Sequence, residues 1–204
     1  MTSTYLYEPF DNPAFDPRLA WYNPPHSWQA GHSWLQVDPG AKTDYWQQPQ
    51  HDIRSDNGPF LYTEVTGNFI LTTHVRMNPA NQYDQAGLMV RLSPAFWLKT
   101  SLEFEVGVPS KLGSVITHHG FSDWGTQDYS GARLELDFRI RREGSDYTVD
   151  CSQDGSSWSQ IRFSHLARPG PDDGKGQVQC GLYACSPIAA GFLAEFDFLK
   201  IEAF

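Results

Sequence analysis

Residues 82–105 read QYDQAGLMVRLSPAFWLKTSLEFE, two strand-like runs joined by Ser93–Pro94–Ala95. In the first run Ala86, Leu88, Val90 and Leu92 alternate with Gln85, Met89 and Arg91. In the second, Leu98, Leu102, Phe104 and Val106 alternate with Trp97, Lys99, Ser101, Glu103 and Glu105. A period of two sends alternate side chains to opposite faces of a sheet. One face is therefore a core. The other mixes Gln, Arg, Lys and Glu with a tryptophan, which a purely solvated face does not require.

The same reading extends along the chain. Phe60–Thr66 and Asn68–Met77 are strands, with Gly67–Asn68 as a tight connection. Trp28–Val37 reads as one strand, and Asp44–Tyr45–Trp46 opens a polar loop that runs to Gly58–Pro59. Ser114–His119 is a strand followed by a loop at Ser122–Gly125. Arg133–Arg142 puts Leu134, Leu136, Phe138 and Ile140 inside, with Glu135, Asp137, Arg139 and Arg141 on a charged face without an aromatic. Tyr147–Ser152, Trp158–Phe163, Gln177–Ser186 and Phe192–Phe204 complete ten to twelve strands, with a polar loop over 168–176. Many short strands with turns between them and no long helical pattern predict an all-β sandwich or barrel. Residues 1–27, rich in Pro, Asn and Asp, read as an irregular lead-in packed on a single sandwich spanning 28–204.

Composition narrows the function. A chain of 204 residues with 40% hydrophobic and 19% charged residues is globular and fits one domain. A net charge of −9 argues against binding nucleic acid or anionic membrane surfaces. Three cysteines form no CxxC pair, and Cys180 and Cys185 face opposite sides of one strand, which favours a reducing compartment. The opening MTSTYLYEPFDNPAF has no signal-peptide pattern and no apolar run reaches membrane-spanning length. The expected location is the cytoplasm. No cofactor motif and no metal-ligand spacing stands out, so neither is expected.

Four segments then carry a resemblance: YDQAGLMVR (83–91), WLKTSLEFE (97–105), VITHHGFSDW (115–124) and VQCGLYACSP (178–187). Together they resemble a domain family of unassigned function that includes the fungal regulation-of-enolase protein and is placed in the concanavalin A-like lectin/glucanase superfamily. Similar modules follow the catalytic domain of some β-xylosidases. The resemblance covers about residues 28–204 and implies a jelly-roll sandwich of two antiparallel sheets, one concave. It implies no reaction. The family's recurrent polar and aromatic pattern falls here on Asp44, Trp46, Asp84, Gln85, Arg91, Trp97, Lys99, Glu103, Asp123, Trp124 and Tyr183.

Three functional readings follow. In the first, Trp97 stacks a sugar while Gln85, Arg91, Lys99 and Glu103 hydrogen-bond it, with Trp46, Asp123, Trp124 and Tyr183 around the groove; the expected ligand is a saccharide or sugar phosphate. In the second, the chain is a glycoside hydrolase using Glu103 with Glu105 or Asp123. Positions two apart on a strand lie roughly 6.5–7 Å apart, a spacing that does not exclude catalysis. However, superfamily glucanases carry a third acid that Glu103–Val108 lacks, and Lys99 beside Glu103 is expected to keep the carboxylate ionised. The third reading is a scaffold for a protein partner such as a glycolytic enzyme. Binding without catalysis is favoured over the other two. His118 and His119, adjacent on a strand, allow one imidazole at most into the groove.

Overall fold

The computed structural model describes residues 2–48, 53–168 and 174–204. Its strands are β1 (Ser3–Glu8), β2 (Ala20–Tyr22), β3 (Ser27–Gly31), β4 (Trp34–Asp38), β5 (Tyr45–Gln47), β6 (Arg54–Asp56), β7 (Phe60–Val65), β8 (Phe69–Asn78) and β9 (Gln85–Ser93). They continue as β10 (Phe96–Glu103), β11 (Lys111–His118), β12 (Phe121–Asp128), β13 (Glu135–Glu143), β14 (Asp146–Ser152), β15 (Ser159–His165), β16 (Val178–Cys185), β17 (Leu193–Phe196) and β18 (Leu199–Ala203). No helix occurs among the described residues, and so none there is long and apolar enough to cross a membrane.

Two antiparallel sheets form the jelly-roll sandwich. One has the order β12-β11-β10-β9-β16-β7-β2. The other runs β15-β14-β13-β8-β17-β4-β3, with β18 joining β8 to β1. The inner faces meet in one large core. It takes Ala86, Leu88, Val90 and Leu92 from β9, Leu98 and Leu102 from β10, and Leu136, Phe138 and Ile140 from β13. Each such side chain stabilises the fold by about 1.5–3 kcal/mol when fully buried. The alternation at 82–105 therefore reads true through Leu102. Beyond it β10 ends, and Val106 is exposed rather than inward.

Several boundaries differ from the sequence reading. Residues 1–27 contain two strands: β1 pairs with β18 and β2 with β7, so the lead-in extends both sheets. In β1, Leu6 and Glu8 are buried while Tyr5 and Tyr7 are exposed, an alternation short enough to be lost among prolines. Trp28–Val37 is a hairpin, β3–β4, that turns at His32 and Ser33 with φ of 58° and 66°. Two successive positive φ values make the twist-matching two-residue turn, and His-Ser lacks its usual Asn-Gly signature. Ser122–Gly125 lies in an edge strand, β12, and not in a loop. Phe192–Phe204 divides into β17 and β18. Gly67, at φ 73°, makes the expected turn between β7 and β8. The expected loop at 168–176 falls mostly outside the described residues.

One inward position on β13 is an arginine. Arg142 is buried: its Nε donates to Gly144 O at 2.8 Å, and one terminal nitrogen donates to Gly67 O at 3.2 Å and Gly176 O at 2.9 Å. The charged outer face of β13 also differs from its expected form, because Trp158 lies 4.2 Å from the Arg139 guanidinium.

Candidate functional site

The seven-stranded sheet places the polar side of residues 82–105 on its outer face, in rows fixed by register. Lys99 pairs with Met89 and Val115, and Val115 with Trp124. Glu103 pairs with Gln85 and Lys111, and Trp97 with Arg91 and Thr117. Strand β16 lies beside β9, bringing Tyr183 opposite Gly87 and Gln179 opposite Arg91. Gln85, Arg91, Trp97, Lys99 and Glu103 thus share one face, as the alternation predicted, and the pairing of β16 with β9 adds Tyr183 to it.

That face is not an open groove at Trp97. Strands β5 and β6 form a separate two-stranded ribbon, paired to neither large sheet, which lies across it. Tyr45 of the ribbon packs with Phe60, Met89, Trp97, Val115, Tyr183 and Cys185 in a second apolar cluster. Trp97 is 0% exposed, with its ring centroid 6.1 Å from that of Tyr45. The expectation that Trp97 stacks a sugar is corrected for this state, because the chain's own tyrosine occupies its surroundings. Arg54–Asp56, from the polar loop expected after Trp46, is the strand that pairs with β5 in this cover.

Around the apolar cluster runs a polar network. Lys99, its side chain 4% exposed, donates from Nζ to Gln85 Oε1 at 2.8 Å and lies 3.3 Å from Asp44 Oδ1. Gln85 Nε2 donates to Glu103 Oε2 at 3.1 Å, and the Tyr183 hydroxyl donates to Gln85 Oε1 at 3.1 Å. On the other flank Arg91, its side chain 7% exposed, donates to Asp56 Oδ2 at 2.8 Å, Tyr22 Oη at 3.0 Å and Gln179 Oε1 at 3.2 Å. Burying two cations costs several kcal/mol each in desolvation, offset only by close partners. Such a cluster on a surface of otherwise apolar packing is a functional-site candidate.

Burial pushes the Glu103 carboxyl up to about 7. Lys99 opposes that rise, while Asp44 and Glu105 add to it. Lys99 acts in the expected direction on Glu103, but burial outweighs it, and the ammonium is shared with Gln85 and Asp44. A raised acid destabilises the folded state as pH climbs from the ordinary carboxylate range to about 7, because only the unfolded chain ionises freely. Chemical-denaturation stability of wild type is expected to fall by about 1–3 kcal/mol over that window. Glu103→Gln should flatten the fall; identical pH profiles for the two proteins would refute it.

The remaining residues separate. Glu105 accepts from Gln82 Nε2. Asp123 pairs with Ile116 on the opposite side of the sheet and bridges Arg162 at 2.7 Å, so it does not join Glu103. Asp84 is buried and accepts from Ala80 N and Asn81 N, both at 2.7 Å, a turn-holding role. His118 and His119 meet Phe96 edge to face with ring centroids 5.1 and 4.9 Å away, and both are exposed. Trp46 and Trp124 meet edge to face at 6.5 Å beside the ribbon, with Trp124 45% exposed. Asp56 and Tyr22 went unread in the sequence: each sits in a three-residue strand without periodicity, and their meeting with Arg91 is long-range.

A family model described as "Protein of unknown function (DUF1349)" matches residues 21–204. The chain is 33% identical over 185 residues to "Regulation of enolase protein 1" of Saccharomyces cerevisiae, covering 90% of this chain and 88% of that protein. A crystal structure of a functionally unknown protein from Saccharomyces cerevisiae superposes with a TM-score of 0.82 at 29% identity, over 92% of this chain and 97% of the other. The GH43 BlXynB protein of Bacillus licheniformis gives 0.73 at 20% identity, over 97% of this chain. This chain spans 39% of that enzyme, and the likeness shows the fold alone. With nearly its whole length matched by the family model, the chain belongs to the DUF1349 family.

Proposed function

We propose that this protein is a non-catalytic regulatory module that binds a saccharide or sugar metabolite at the margin of the β5–β6 ribbon. The observation that carries the proposal is the placing of an exposed aromatic pair on the same sheet face as the polar network. The half-exposed Trp124 meets Trp46 edge to face and is one strand beyond Val115 from the buried Lys99, which is tied to Asp44 and Gln85. Binding sites combine an aromatic surface with a few placed polar groups in this way. The floor is low, since Ser101 pairs with Gly87 on one side and Gly113 on the other. The stacking role moves from Trp97 to Trp124. The name of the yeast relative, "Regulation of enolase protein 1", supports a regulatory role; a glycolytic enzyme as protein partner and a cytoplasmic location belong to the proposal.

One observation favours hydrolysis as a second reading: a carboxyl near 7 suits a general acid at neutral pH. Against it, Asp44 is held by Lys99, Glu105 by Gln82, and Asp123 lies on the other face.

Thermal shift and calorimetry with neutral oligosaccharides and sugar phosphates test the binding reading, since a ligand of the native state raises the melting temperature. Trp124→Ala, at a half-exposed edge position, is expected to leave the fold intact and weaken binding by about tenfold or more, the worth of one lost stacking surface. A ligand bound equally well by Trp124→Ala would remove this site, and turnover of aryl glycosides lost in Glu103→Gln would move the assignment to catalysis.

A further inference from the structure

Besides the packing of Tyr45 in the second apolar cluster, the β5–β6 ribbon is held to the sheet beneath it by two carboxylates set on two cations. Asp44, just before β5, sits 3.3 Å from Lys99 Nζ, and Asp56, ending β6, sits 2.8 Å from an Arg91 nitrogen. Lys99 and Arg91 are diagonal neighbours across β10 and β9, a separation of about 7–8 Å between backbones. Between them lies Trp97.

The polar fit under the ribbon is incomplete. Trp97 Nε1, Arg91 Nε and Asp56 Oδ1 are buried without a hydrogen-bond partner. A buried donor left unpaired costs free energy that a matching acceptor would recover. Arginine also offers an unused pairing, because its Nε and a terminal nitrogen form a fork that fits a tetrahedral oxyanion in two parallel bonds. Asp56 takes only the terminal nitrogen. Meanwhile the ribbon shares no ladder with either sheet, so lifting it breaks no strand pairing, although it would release Gln47 N from Ser122 Oγ at 2.9 Å.

We propose that the ribbon is a displaceable cover whose Asp44 and Asp56 stand in for an anionic ligand, and that the face beneath is a site for a phosphate monoester of a sugar, gripped by Arg91 and Lys99 with Trp97 against the ring. This rests on the ligand-binding reading of the same face and adds to it an inner site, a charge requirement and a moving part. Ligand phosphate and ribbon carboxylates compete for the same cations, so weakening the ribbon's hold strengthens the ligand's.

The test uses the full chain, with glucose 6-phosphate, inorganic phosphate and glucose as probes. Calorimetry should show glucose 6-phosphate binding wild type, glucose binding at least tenfold more weakly, and Asp56→Asn binding the ester about tenfold more tightly than wild type. Asp44→Asn, remote from Arg91, should tighten it in the same sense and serves if Asp56→Asn folds poorly. Arg91→Met should abolish the effect. Hydrogen exchange at amides of residues 44–48 and 53–57 should speed up when the ester is bound. Inorganic phosphate binding as tightly as the ester would show an anion site without sugar recognition and overturn the proposal. So would unchanged ribbon exchange, or ester affinity unaltered in both aspartate variants. If neutral oligosaccharides bind through Trp124 while the ester does not bind, this inference fails and the outer site stands; ester binding with ribbon opening that ignores Trp124→Ala is the reverse.

Discussion

Tyr45→Ala should destabilise the protein by about 3–5 kcal/mol, the usual cost of emptying a buried aromatic position. Tyr45 is fully buried and is the residue by which the β5–β6 ribbon joins the second apolar cluster. Its ring meets Trp97 at 6.1 Å and Tyr183 at 6.3 Å, and its hydroxyl donates to Gly58 O at 2.5 Å. Removing the ring leaves a void that rigid neighbours cannot fill, since Met89, Trp97 and Val115 are fixed on paired strands. Urea unfolding measures the loss, and Tyr45→Phe separates packing from the hydrogen bond, costing about 1 kcal/mol. A loss below that figure for Tyr45→Ala would mean that the ribbon does not rest on the sheet as described.

Arg142→Ala should cost a similar 3–5 kcal/mol, for a different reason. Its guanidinium gathers the carbonyls of Gly67, Gly144 and Gly176, which come from three separate turns at one end of the sandwich. It also lies 6.0 Å from the rings of Phe69 and Tyr147. Without it, the three carbonyls lose charge-assisted donors, each worth about 1.5–3 kcal/mol. Arg142→Lys should recover only part, because an ammonium cannot reproduce the planar fork. Full stability in the lysine variant would show that charge alone, and not the geometry of three carbonyls, is needed there.

These two residues also mark where reading the chain succeeds and where it stops. Alternation put Ala86, Leu88, Val90, Leu92, Leu98 and Leu102 inward and Gln85, Met89, Arg91, Trp97, Lys99 and Ser101 on the other face, because a pleated strand sends successive side chains to opposite sides. The same rule put Cys180 and Cys185 on opposite sides, and they fall in the two different apolar clusters. Tyr45 was legible only as part of a polar loop. A three-residue strand has no measurable period, and its partner β6 is equally short. Arg142 continued the inward series of Leu136, Phe138 and Ile140, yet a cation at the end of an apolar series is ordinarily taken as the strand's exit to solvent.

The membership of the candidate site divides along the same line. Gln85, Arg91, Lys99 and Glu103 could be grouped because β9 and β10 are consecutive strands and their alternation sets one shared face, whereas Tyr183 joins them only through the long-range pairing of β16 with β9. Asp56 and Tyr22 could not, since Arg91 reaches them across 35 and 69 residues of chain. Trp97 shows the limit most plainly. Its face was correct, but its exposure was not, and its proposed role passed to Trp124.

From the order of residues alone come the all-β sandwich, the division of each strand into core and outer side, and the family. Local stereochemistry sets these: a side chain's direction depends on its own backbone and on its near neighbours. Folding decides whether the outer side meets water or a second layer of chain. Here the β5–β6 ribbon covers Trp97 and turns an apparent stacking platform into a buried cluster, while burial raises Glu103 to about 7. Coverage is a matter of long-range packing, which no period in the sequence encodes.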